Sequence, residues 1–129
     1  MKLKFMNIDW KLFFSIFLVF FIFDAIYISL FSNFFKKLFK SVQGGRAISI
    51  KYNAFVMTYV FMVSIIYYFC FVKMFTLSDM FILGISIYGV YELTNYTTLL
   101  DWNLKMAFID TLWGGILFSS TTFVAKKLN

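Results

Sequence analysis

The stretch LFFSIFLVFFIFDAIYISLFSNFF, Leu12 to Phe35, decides the fold: it is mostly apolar and holds a single charged residue, Asp24. A helix that crosses a bilayer needs about 20 predominantly apolar residues, because each adds about 1.5 Å through a hydrocarbon layer about 30 Å thick. An Asp at the helix centre costs about 2.5–3.5 kcal/mol on insertion scales, and each Phe, Leu, Ile or Val returns about 0.3–0.6. The run is rich enough in those residues for insertion to win. Working outward, three more stretches pass the same test. Tyr52–Val72 has no charge, Met80–Leu100 has only Glu92, and Leu104–Val124 has Lys105 at its edge and Asp110 inside. The expected architecture is all-α: an integral, multi-pass membrane protein with four transmembrane helices in an antiparallel bundle. The spans leave room for a single domain over residues 1–129 and for no soluble one.

Composition supports this address. Of the 129 residues 62% are hydrophobic, 24% aromatic and only 14% charged, whereas soluble domains carry about 25% charged residues. Segments such as FFSIFLVFFIF lack the polar stripe of a soluble amphipathic helix. They also lack the alternation of a membrane β-strand. With no histidine and one cysteine, Cys70, the chain cannot build a His-ligated metal site, a Ser-His or Cys-His pair, or an internal disulfide. No cofactor and no metal is expected. A basic start (Lys2, Lys4, Lys11) precedes the first span, but the long apolar run without an A-x-A-like site reads as a retained helix rather than a cleaved signal peptide. Basic residues do not choose an orientation. Lys2, Lys4, Lys11, Lys73, Lys126 and Lys127 fall in one set of flanks, and Lys36, Lys37, Lys40, Arg46, Lys51 and Lys105 in the other. The net charge of +6 resides in these flanks, so the expected partner is the lipid bilayer, and nucleic acid is not expected.

The first connection, NFFKKLFKSVQGGRAISIK (Asn33–Lys51), places Phe34, Phe35, Leu38, Phe39 and Val42 at helical spacing between Lys36, Lys37 and Lys40. Two readings fit. One is a short amphipathic helix in the headgroup layer, ended by Gly44-Gly45, whose three lysines contact lipid headgroups. The other is the snorkelling end of the first span followed by a turn.

The acids carry most of the functional information. Asp9, Asp79 and Asp101 lie near span ends, whereas Asp24, Glu92 and Asp110 lie inside three different spans, with no Lys or Arg at comparable depth. Each belongs to a stripe at helical spacing: Phe20, Asp24 and Tyr27; Tyr88, Glu92 and Asn95; Asp110, Trp113 and Gly114. Lipid offers a carboxyl no partner, so the stripes are expected to face one another. The expected polar cluster is Asp24, Tyr27, Tyr88, Glu92, Asn95, Asp110 and Trp113, with at least one of the three acids protonated near neutral pH. Gly89, Ala107 and Gly114 are small enough to let helices approach closely.

YGVYELTNYTTLLDW (Tyr88–Trp102), DTLWGG (Asp110–Gly115) and FDAIYISL (Phe23–Leu30) together resemble the predicted membrane-protein family known as domain of unknown function 2177. The family pattern, approximately Y-G-x-Y-D-L-T-N, then a Trp, then D-x-x-W-G, falls on Tyr88, Gly89, Tyr91, Glu92, Leu93, Thr94, Asn95, Trp102, Asp110, Trp113 and Gly114. Glu92 stands where Asp is usual and Tyr27 where a Trp is usual. The resemblance implies a four-helix membrane protein over nearly the whole chain, but no activity. The association of such genes with lipid-modifying neighbours implies, by analogy, a membrane-lipid role.

Three functions are compatible with these residues. The first is a carrier, channel-like or lipid-binding protein whose acid cluster takes a proton, cation or lipid headgroup. The second is a membrane enzyme of lipid modification with Asp110 or Glu92 as base, for which no known catalytic motif is present. The third is a structural or assembly protein that packs with copies of itself or with other membrane proteins.

Overall fold

A computed structural model describes residues 7–129; Lys2 and Lys4, which entered the orientation count, lie outside the described residues. The described residues form five α-helices and no strand: α1 (Trp10–Leu30), α2 (Ser32–Val42), α3 (Tyr52–Ile66), α4 (Leu77–Thr98) and α5 (Leu104–Leu128). A π-helical segment, Tyr67–Val72, carries α3 onward without a break.

Local chemistry sets the ends. The Asp9 carboxylate accepts from the Leu12 N–H at 3.1 Å and starts α1. Thr76 and Asp79 form a reciprocal capping box at the start of α4, and the Asn103 side chain accepts from the Met106 N–H at the start of α5. The Thr76 backbone N–H, donating to Asp79 Oδ2 at 3.0 Å, holds the exposed Asp79 carboxyl below its usual range. At the end of α2 the Gly45 N–H reaches the Lys40 carbonyl and the Gly44 N–H that of Ser41, a Schellman closure. It needs the positive φ that Gly44 supplies at 67°.

The first span differs from its expected bounds. It ends at Leu30 rather than Phe35, because Phe31 leaves helical geometry (φ −109°, ψ 17°) and α2 starts as a separate helix. The connection is therefore a helix in its own right, with Lys36, Lys37 and Lys40 on its exposed side. Three helical segments are long and apolar enough to cross a membrane: Trp10–Leu30, Tyr52–Val72 and Leu104–Leu128. The Met80–Leu100 stretch, now α4, is long enough but not among them. Ser78, Asp79, Ser86, Glu92, Thr94, Asn95, Thr97 and Thr98 dilute its apolar content.

α4 and α5 pack along most of their length, α1 lies on α5, and α3 lies on α1. The core at one end joins Ile16, Val63, Ile66, Met80, Leu117, Phe118 and Ala125, each essentially inaccessible. Gly84 brings α4 onto the backbone of α5: a Cβ there would stand 2.8 Å from the Gly114 carbonyl carbon and 2.9 Å from the Phe118 Cβ. A Cβ on Gly115 would come within 2.9 Å of the Phe81 ring.

Candidate functional site

The helix stripes bring Asp24, Glu92 and Asp110 to the other end of the molecule. Asp24 on α1, Glu92 on α4 and Asp110 on α5 all line one cavity of about 480 Å³. Tyr27, Tyr88, Tyr91, Trp102 and Met106 complete its inner wall. Its mouth is formed by Phe35, Lys36, Leu38 and Phe39 of α2 with Ile48 and Ile50 of the following extended segment. α2 is held across this end from outside the acids. Ser41 Oγ donates to Asp101 Oδ2 at 3.0 Å, and the Phe39 ring meets Trp102 edge-on at 5.7 Å.

Aromatic donors hold two of the carboxyls in place. Tyr59 Oη donates to Asp24 Oδ2 at 2.6 Å, and Trp113 Nε1 to Asp24 Oδ1 at 3.2 Å. Trp102 Nε1 donates to Glu92 Oε2 at 2.7 Å, and both residues are buried. These bonds give the indole and phenol groups the polar partners they need when their rings are buried. Glu92 and Asp110 lie within hydrogen-bonding reach of each other, with Asp24 farther along the same wall. The three acids are thus a pair and a neighbour: among the described residues, no three His, Cys, Asp or Glu side chains are grouped so as to hold one metal ion.

Tyr27 is the unusual member. Its ring stacks on Trp113, with centroids 4.6 Å apart and planes 8° from parallel. Its hydroxyl is buried beside the Asp110 carboxyl and makes no hydrogen bond of good geometry among the described residues. A buried unpaired hydroxyl costs about 1–3 kcal/mol.

Of the seven residues expected in the polar cluster, Asp24, Tyr27, Tyr88, Glu92 and Asp110 line the cavity, and Trp113 supports it from behind through Asp24. Asn95 does not line it; it sits half-buried, one turn beyond Glu92 beside Tyr91. Ala107 is buried, and Gly114 carries the Tyr88 ring directly against its Cα. Gly89 plays a smaller part in close packing than Gly84, because a Cβ on it would meet Thr111 Cγ2 at an ordinary 3.4 Å. Of the α2 lysines, Lys36 lines the cavity mouth, while Lys37 and Lys40 are exposed outside it.

Two residues escaped the sequence reading. Tyr59 lies in a span without charges, where nothing marks it except a phenol that needs a partner at depth. Trp102 lies in the α4–α5 connection and folds back ten residues to Glu92; its place in the family pattern was the available signal.

The family model described as predicted membrane protein (DUF2177) matches residues 10–126. The chain belongs to this family. The matched region includes every described residue that lines the acid cavity. No curated protein and no solved structure matches the chain. This member of DUF2177 is a predicted membrane protein of unknown function, with three helices able to span a bilayer.

Proposed function

We propose that α1, α3 with its π-helical extension, α4 and α5 are four antiparallel spans of a single domain. In this reading α2 lies in the headgroup layer, and the cavity beneath it takes up a cation or a polar headgroup, as a lipid-binding or carrier protein does. The observation that carries the reading is the convergence of carboxyls from three helices on one 480 Å³ cavity with no basic side chain at its inner end. Carboxyls set against each other in a water-poor site call for a bound proton or cation, and sites of about 300–1,000 Å³ suit small ligands.

The four-span reading draws on α4 as well. Its 22 residues reach about 33 Å at about 1.5 Å per residue, and Glu92 is turned inward onto Trp102. The chain ends also alternate. The Asp9 N–H donates to Tyr67 Oη, and Lys126 Nζ to the Phe75 carbonyl, at the end opposite α2. The close approach through Gly84 and Gly114 is used up between α4 and α5 of one chain, so these glycines do not argue for an assembly role.

Two experiments test the proposal. In a Cys70→Ala background, Lys73→Cys and Asn103→Cys should react with an impermeant thiol reagent from opposite sides of the membrane; labelling from the same side sinks the four-span reading. Protein reconstituted in liposomes should bind or pass cations in a manner weakened by Glu92→Gln and by Asp110→Asn. Unchanged signals in both variants would remove the site.

A further inference from the structure

We infer that the cavity recognises a phospholipid with a primary ammonium in its headgroup, the ammonium at the carboxyl end and the phosphate at Lys36. This rests on the reading above and narrows its ligand.

The inner wall offers acceptors that the protein leaves open. Trp113 and Tyr59 occupy one oxygen each of Asp24, and Trp102 occupies Oε2 of Glu92. Among the described residues no N–H donor reaches the other Glu92 oxygen or the Asp110 carboxyl, and the two lie near enough together for one ammonium to bridge them. Beside them stands the Tyr27 hydroxyl, next to the Asp110 carboxyl and without a hydrogen bond of good geometry, on a residue only 7% exposed that itself lines the cavity. An acid group alone would suit any cation. The added hydroxyl, which can accept an N–H bond, suits an ammonium that carries hydrogens. The rings of Tyr27, Tyr88 and Tyr91 on the same wall suit an organic cation further, through their negative faces.

The mouth has the opposite character. Lys36 is the only basic residue among the described lining residues, and it sits on α2 beside Phe35, Leu38, Ile48 and Ile50. A cation at the rim above an anionic interior matches a zwitterion entering ammonium first, with its phosphate left at the ammonium of Lys36. The surrounding apolar side chains suit the start of acyl chains. A free metal cation would use neither Lys36 nor this apolar rim.

The test is native mass spectrometry of the detergent-purified full chain, offered phosphatidylethanolamine, phosphatidylcholine or phosphatidylglycerol. Dodecylamine serves as a probe with an ammonium and no phosphate. Phosphatidylethanolamine should be retained about tenfold more than the other two phospholipids, as one charge-assisted hydrogen-bonded contact is worth. Lys36→Gln should lower that retention while leaving dodecylamine bound. Tyr27→Phe, which keeps the ring stacked on Trp113, and Asp110→Asn should lower both. Equal retention of the three phospholipids, with dodecylamine still lost in Asp110→Asn, overturns the inference and leaves the cation site standing. Dodecylamine binding that is absent, or unmoved by both Asp110→Asn and Tyr27→Phe, overturns the site as well.

Discussion

The two ends of this molecule solve the same problem in opposite ways. At the Gly84–Phe118 end, α4 and α5 touch backbone to backbone, and Ile16, Val63, Ile66, Met80 and Leu117 fill the space completely. At the Glu92–Asp110 end the helices bear large aromatic and acidic side chains, and a cavity of about 480 Å³ remains between them. Glycine lets helices close, whereas residues that hold polar groups at fixed positions keep them apart. One end is built for stability and the other gives up packing for a polar interior. Close packing and polar side chains are divided along the length of the same helices.

The largest test of that division is Phe118→Ala against Leu38→Ala. Phe118 is fully buried, so its truncation should cost about 3–5 kcal/mol in reversible unfolding from detergent micelles. Leu38 already faces an open cavity, and its truncation should cost less than about 1 kcal/mol, because the surroundings lose few contacts. Equal costs would break the comparison.

Next comes Gly84→Ala against Gly89→Ala, two identical changes on one helix. The first forces a methyl against backbone that cannot step aside and should destabilise by about 1–3 kcal/mol. The second should leave the thermal midpoint unchanged or slightly raised, since its methyl finds ordinary contact distance and Ala favours the helix.

A smaller effect separates the unpaired hydroxyls of the two ends. Thr121 Oγ1 is buried without a partner and lines no described cavity. Thr121→Val should therefore stabilise the protein, by up to about 1 kcal/mol, by removing an unsatisfied polar atom at nearly constant volume. Tyr27→Phe removes a comparable group, but it should also cost ligand retention. A loss of ligand in Thr121→Val would erase the distinction.

The smallest effect concerns the capping box at the packed end. The Asp79 carboxyl is held below its usual range by the bond it accepts from the Thr76 backbone N–H. The stabilisation is therefore present above the unfolded-state value and lost as pH falls through the lower folded-state value. Asp79→Asn should flatten a slight acid-side decline in the stability of α4, read by circular dichroism, and change nothing at neutral pH beyond a small offset.

Much of this was legible from residues alone because the solvent is so demanding. Hydrocarbon accepts only long apolar helices, so the runs around Phe17, Val63 and Leu117 betray themselves without any knowledge of their neighbours. The same demand marks Asp24, Glu92 and Asp110 as groups that must turn inward. The break at Phe31 was not visible, because neither proline nor glycine stands there and only packing of α2 over the cavity defines the corner. Tyr59 was hidden for a related reason: in a span where every residue is compatible with lipid, periodicity does not say which face meets α1.

The amino-acid order by itself determined that the chain is helical and membrane-seeking and that it carries acids within its apolar stretches, since these follow from the transfer free energies of individual side chains. Tertiary structure alone decided that two acids pair while the third is held apart by Tyr59 and Trp113, that Trp102 folds back onto Glu92, and that Gly84 rather than Gly89 sets the tight crossing. Those outcomes depend on the rotation and depth of each helix against the next. Side-chain transfer energies do not encode them.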